Sequence, residues 1–152
     1  MSVTISDSMI QNKSGLATVV FCLNKFESVI RRLEEGLARY LKNRKDEQIR
    51  DGLIMRFEFT YELSHKTLKR YLKFSLANPS QVDQMTFQDQ IRTANEQDLL
   101  LGDWSDWRRF RDLRTRTVHT YDEDQSELVV DKLPQFIEEV NFLIEQIRTR
   151  IS

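Results

Sequence analysis

LATVVFCLNKFESVIRRLEEGLARYL, residues 16–41, decides the fold. Its apolar positions are Leu16, Val19, Val20, Leu23, Phe26, Ile30, Leu33, Leu37, Tyr40 and Leu41. Steps of three and four residues, held over roughly seven turns of 3.6 residues, trace one stripe down a long amphipathic helix. A stripe of that length has to be covered by other elements, so the chain reads as a helical bundle. Ser14 stands where an N-cap would. Residues 1–13 are polar and mixed and read as a flexible arm, leaving 14–152 as a single domain.

Working outward, Lys42 to Glu47 is charged and reads as a loop. A second helix is expected from Glu47 to Leu76, with Ile49, Leu53, Phe57, Tyr61, Leu68 and Leu72 on one side. Ile54, Met55, Phe59 and Leu63 widen its apolar stripe, the mark of a helix with neighbours on two sides. Asn78-Pro79-Ser80 ends it, since Pro cannot continue the hydrogen-bond ladder. Residues 82–100 read as one short helix. Asp103 caps a helix starting at Trp104. Thr120-Tyr-Asp-Glu123 has the form of a capping box, which predicts a start near Tyr121. Pro134 then suggests a restart with Asp131 as N-cap, and a last apolar series runs from Leu133 to Ile151. The expectation is an all-α, antiparallel up-down bundle of four main helices with short extra ones.

Composition agrees. Four Gly and two Pro are too few for the turns of a β-sandwich or barrel. The single cysteine, Cys22, rules out an internal disulfide and fits a reducing compartment. No apolar run is long enough to span a bilayer and the first twenty residues lack a cleavable leader pattern, so a cytoplasmic protein without membrane contact is expected. A net charge of −1 means that any nucleic-acid role needs a local patch.

Residues 108–116, RRFRDLRTR, supply that patch: five Arg and one Asp give +4. His119 and Tyr121 follow directly. Arg presents a planar fork of donors that matches phosphate oxygens. On a continuous helix Arg114 and Tyr121 would share a face, with His119 well round from Arg114. A break near Thr120 would instead let His119 swing beside Arg114 at a helix start, where free backbone N–H groups favour an anion. Such a group permits metal-free phosphodiester cleavage in RNA, with imidazole moving protons and Arg neutralising charge on the phosphate. One His cannot easily perform both proton transfers at once, so a second copy across a dimer would help.

Blander readings exist for each feature. The Arg face could be solvated or paired with Asp103, Asp106, Asp112, Asp122 and Glu123. DNA binding is weaker, because no helix-turn-helix signal precedes the patch, and Trp104 and Trp107 read as core. His65 reads as a helix-face or hydrogen-bonded His. Glu58 and Glu62 read as partners of Lys66 rather than metal ligands. Phe57, Phe59 and Tyr61 read as core, and Cys22 as inert. Neither a metal site nor a cofactor is expected.

Two stretches together carry a family resemblance. DGLIMRFEFTYELSHKTLKRYL (51–72) resembles the second helix of the nucleotidyltransferase substrate-binding family, a branch of the HEPN superfamily. Trp107 through RTRTVHTYDE (114–123) resembles its Arg-x4-His-x-Tyr signature followed by Asp-Glu. The resemblance covers about residues 15–150 and implies a dimerising helical bundle paired with a minimal nucleotidyltransferase. It implies further a toxin of a toxin–antitoxin pair, acting as a metal-independent ribonuclease on RNA with the Arg and His of both protomers in a shared cleft. The antitoxin would silence it by attaching AMP to the motif's tyrosine. On this resemblance Arg114 holds phosphate, His119 is the general acid/base and Tyr121 is the modified residue. Arg108, Arg111, Thr115 and Arg116 then serve as phosphate and RNA contacts. Where the family commonly has Asn after the Arg, this chain has Thr115; where it often has Trp, this chain has His65. The rival is a non-catalytic subunit of the same fold that presents substrate to the nucleotidyltransferase or docks it.

Overall fold

The structure is a computed structural model describing residues 2–152, with side chains from Lys13 onward. Its helices are α1 (Ser2–Lys42), α2 (Glu47–Ser75), α3 (Pro79–Gln84), α4 (Phe87–Glu96), α5 (Trp104–Arg116) and α6 (Glu123–Ile151). A single 3-10 turn, Thr117–His119, joins α5 to α6. Among the described residues there is no strand, and no helix is long and apolar enough to cross a membrane. The architecture is the expected all-α bundle, with α1, α2, α5 and α6 as its main helices.

The α1–α2 hairpin forms because Asp46 stops the loop: its carboxylate accepts from the N–H groups of Gln48 and Ile49 at 3.0 and 3.1 Å. The two helices run antiparallel at close range. Arg56 donates to the carbonyl of Arg32 at 2.7 Å, and a side chain at Gly36 would meet Leu53 and Arg56 within 3.3 Å. α6 lies against both helices. Phe136 of α6 is the hub of an aromatic cluster, with edge contacts to Phe57 at 5.0 Å and Phe110 at 5.1 Å. Rings meeting edge to face add to the burial itself. Trp107, fully buried, donates its indole N–H to Glu139 at 3.0 Å. Glu139 also accepts from the backbone of Leu101 and Gly102, so one carboxylate fastens the α4–α5 loop to α6.

Several local expectations are corrected. The arm expected over 1–13 is instead, from Ser2, the first part of α1, with side chains described only from Lys13. Ser14 is interior to α1, its carbonyl accepting from Thr18, and is no cap. The segment 82–100 splits into α3 and α4, because Thr86 and Asp89 form a reciprocal capping box that starts a new helix. The box expected at Thr120 does not form; Asp122 caps α6 instead. α6 does not restart at Asp131 but runs unbroken through Pro134, carried by the buried series Val129, Val130, Leu133, Phe136 and Val140. Phe57 and Tyr61 are core, as is Cys22, but Phe59 is half exposed and belongs to the surface.

Candidate active site

The chain turns sharply where α5 ends, and the candidate residues lie on that turn. Thr117 is buried, and its hydroxyl donates to the carbonyl of Arg114 at 2.7 Å, closing the last turn of α5. The 3-10 turn then carries His119 outward, and the Asp122 N–H returns to the His119 carbonyl at 2.9 Å. Thr120 is pinned from the far side, its carbonyl accepting from Ser126 at 3.0 Å. A short segment held at both ends thus presents Val118, His119 and Tyr121 to solvent.

Two of these, His119 and Tyr121, carry polar chemistry. The His119 Nδ1 and the Tyr121 hydroxyl lie 3.2 Å apart, with the rings 5.8 Å apart and nearly perpendicular. Tyr121 is 84% exposed, which is extreme for a phenol and leaves its oxygen accessible. The pair lines an open groove of about 390 Å³ together with Thr115, Arg116, Asp122 and Gln125. Arg116 is braced across it by Gln125 at 2.9 Å. The start of α6 is already filled: the Asp122 carboxylate accepts from the N–H groups of Asp124 and Gln125. The expected anion site at that helix terminus is therefore occupied by the chain's own carboxylate, and charge recognition in the groove falls to side chains.

Arg114 is held differently. One guanidinium nitrogen donates to the Thr117 hydroxyl at 3.1 Å, and another to Glu62 at 2.8 Å, with Glu58 at 3.9 Å. Glu58 and Glu62 thus pair with Arg114, not with Lys66 as their spacing suggested. No hydrogen bond joins Arg114 to His119 among the described residues. Arg108 and Arg111 lie in a second groove of about 330 Å³ with Phe87 and Trp104, where the Arg111 guanidinium sits 5.1 Å from the Trp104 ring centre. The turn thus gathers Thr115, Arg116, His119 and Tyr121, and separates Arg108 and Arg111 from them. Behind the Arg row, burial pushes the Tyr61 hydroxyl up to about 12 although Arg111 and Arg114 oppose it, so that phenol stays protonated. Among the described residues no group of three or more His, Cys, Asp or Glu is placed to hold a metal.

Sequence reasoning missed Glu62, Thr117 and Gln125. The one signal available was the i,i+4 spacing of Glu58 and Glu62, which marks a shared helix face but not the helix opposite.

A helical bundle with an exposed His–Tyr pair on an Arg-rich turn is the class of protein defined here. Residues 22–149 match the family described as nucleotidyltransferase substrate binding protein like, and the chain belongs to that family. It is 40% identical over 99 residues to a Haemophilus influenzae protein named probable ribonuclease HepT, covering 65% of this chain and 67% of that one. It also resembles a solved Haemophilus influenzae structure, described as the fold of a substrate-binding domain of a nucleotidyltransferase. There the TM-score is 0.76 at 32% identity, covering 83% of this chain and 98% of the other.

Proposed function

We propose that this chain is a metal-independent endoribonuclease of the toxin type, working as a homodimer and silenced by a nucleotidyltransferase that adenylates Tyr121. The observation that carries the reading is the solvent-facing His119–Tyr121 pair in a groove edged by Arg116. In the cleavage step His119 accepts the proton of a ribose 2′-hydroxyl, whose oxygen attacks the adjacent phosphorus and expels the 5′ oxygen of the next nucleotide. That oxygen takes a proton from the imidazolium of the second protomer, leaving a 2′,3′-cyclic phosphate and a 5′-hydroxyl. Arg114 and Arg116 neutralise the charge that gathers on the phosphate. In the silencing step the Tyr121 oxygen attacks the α-phosphorus of ATP bound to the nucleotidyltransferase, pyrophosphate leaves, and the phenolic proton passes to His119. The added adenylate places bulk and negative charge in the groove that RNA must enter.

Expressing the chain alone tests the reading. RNA should be cut to 5′-hydroxyl ends in the presence of a chelator, and His119→Ala should lower the rate roughly 10²–10⁴-fold. Equal RNA integrity with both chains, or cleavage abolished by the chelator, overturns it. A second reading, a docking or substrate-presenting subunit without catalysis, draws on the engagement of Arg114 by Glu62. It predicts nucleotidyltransferase binding with no cleavage by the chain or by Glu62→Ala.

A further inference from the structure

Apart from the His119 groove and the Arg108–Arg111 groove, the molecule has a further cleft between α2 and α4. It encloses about 360 Å³ and is lined by Glu62, His65, Lys66, Lys69, Phe87 and Gln90, among others. Three observations set it apart from ordinary helix packing. His65 and Phe87 are stacked, with ring centres 4.1 Å apart and planes tilted by 35°, and both rings remain partly accessible. Gln90 is 3% exposed, and its amide lies beside the His65 ring without a well-formed hydrogen bond to its oxygen. An acceptor left short of a donor at the wall of an open cleft can take a hydrogen from a molecule that enters it. Lys66 and Lys69 flank the cleft, and Lys69 is only partly committed, lying 3.4 Å from Asp83.

Position completes the argument. Glu62 lines this cleft and also grips Arg114 at 2.8 Å, so the cleft opens beside the proposed phosphate-binding arginine. Phe87 is shared with the Arg108–Arg111–Trp104 groove on its other side. Three aromatic rings, His65, Phe87 and Trp104, therefore follow one another between Arg114 at one end and Arg111 at the other. Stacking platforms interleaved with positive charge are what an unpaired nucleic-acid strand requires. Burial lowers the pKa of His65 more than the neighbouring Gln90 amide raises it, so the ring stacks in its neutral form at pH 7.

We propose that the cleft floored by His65 and Phe87 is a base-binding subsite for single-stranded RNA. One unpaired base stacks on His65 and gives an amino or imino hydrogen to the Gln90 oxygen, and Lys66 and Lys69 carry the flanking phosphates. The inference rests on the reading of RNA as substrate and adds to it a site lined by other residues than the groove of His119.

Binding of a fluorescent ten-nucleotide single-stranded RNA to the full chain, carrying His119→Ala to prevent cleavage, tests this by anisotropy across a salt series. With base–aromatic stacking worth about 1–3 kcal/mol, His65→Ala should weaken binding roughly tenfold without changing the salt slope. His65→Trp should restore it, an outcome that separates stacking from a merely structural role. Lys66→Ala should reduce the salt slope by about one unit. Equal affinity of the parent and His65→Ala, or equal affinity for the same strand with abasic sugars, overturns the subsite and leaves the ribonuclease reading standing. No binding by the parent at any salt overturns both.

Discussion

Glu139 shows how a single carboxylate can hold a loop. It is 4% exposed and accepts from two backbone N–H groups and the Trp107 indole. Burial raises its pKa above the ordinary 4.5, while the Gly102, Trp107 and Leu101 donors pull the other way. The folded chain therefore binds this proton more tightly than the unfolded chain does. That stabilisation is complete below pH 4.5 and is lost as pH rises through the folded value. Glu139→Gln should flatten this fall, as read from urea midpoints taken from pH 4 upward. Glu139→Ala should cost about 3 kcal/mol at pH 4, since buried donors lose their acceptor, and less as pH rises through the folded value. Arg114 follows a different economy. Its partner Glu62 is more than half exposed, and such pairs are worth up to about 1 kcal/mol, so the contact orients the guanidinium more than it stabilises the fold. Arg114 and His119 were legible as candidates because five Arg in nine residues stand out in a chain of net charge −1. Glu62 was not, because a contact across fifty-two positions leaves no trace in local spacing.

Among the elements, α2 and α5 were readable because burial and capping agree in them, and α1 because its buried stripe is long, although its start was misplaced at Ser14. The stripe Val19, Leu23, Phe26, Ile30 and Leu33 is buried as its period requires, and Asp103 caps α5 with Asp106 answering in a capping box. Two boundaries failed for one reason: a cap is a competition among nearby candidates. Thr86 won unnoticed at α4, whereas Thr120 lost to Asp122, whose carboxylate reaches two N–H groups of α6. Pro134 misled more simply. A Pro ends a helix unless packing on the other face outweighs the missing hydrogen bond, and here Leu133, Phe136 and Ile137 supply that packing. Pro134 itself is exposed, so replacement removes no core contact. Pro134→Ala should therefore raise stability by about 2 kcal/mol: roughly 3 kcal/mol regained in helix propensity, less up to about 1 kcal/mol of unfolded-chain entropy. Chemical denaturation checks it, and an unchanged midpoint would mean that Pro134 does not carry the usual cost of a helix-interior Pro.

For the whole molecule, the class of fold was evident from apolar period and turn poverty, but the arrangement of the site was not. The residues grouped by sequence as one basic patch divide between two grooves on either side of α5's Arg114. If two protomers share one cleft, the light-scattering mass should be twice 18.2 kDa. A tagged heterodimer of parent and His119→Ala chains should then fall far below half the parent's activity, because one imidazole is left for two proton transfers. Half activity would mean that each protomer works alone.

The carboxylate seated on the first amides of α6 bears on how freely this groove can change. With the amides of Asp124 and Gln125 already satisfied from within, recognition in the groove would rest on its side chains. Preference resides in a handful of replaceable side chains around Arg116 and Gln125, so relatives with the same scaffold can acquire new targets by point substitution without redrawing a single turn.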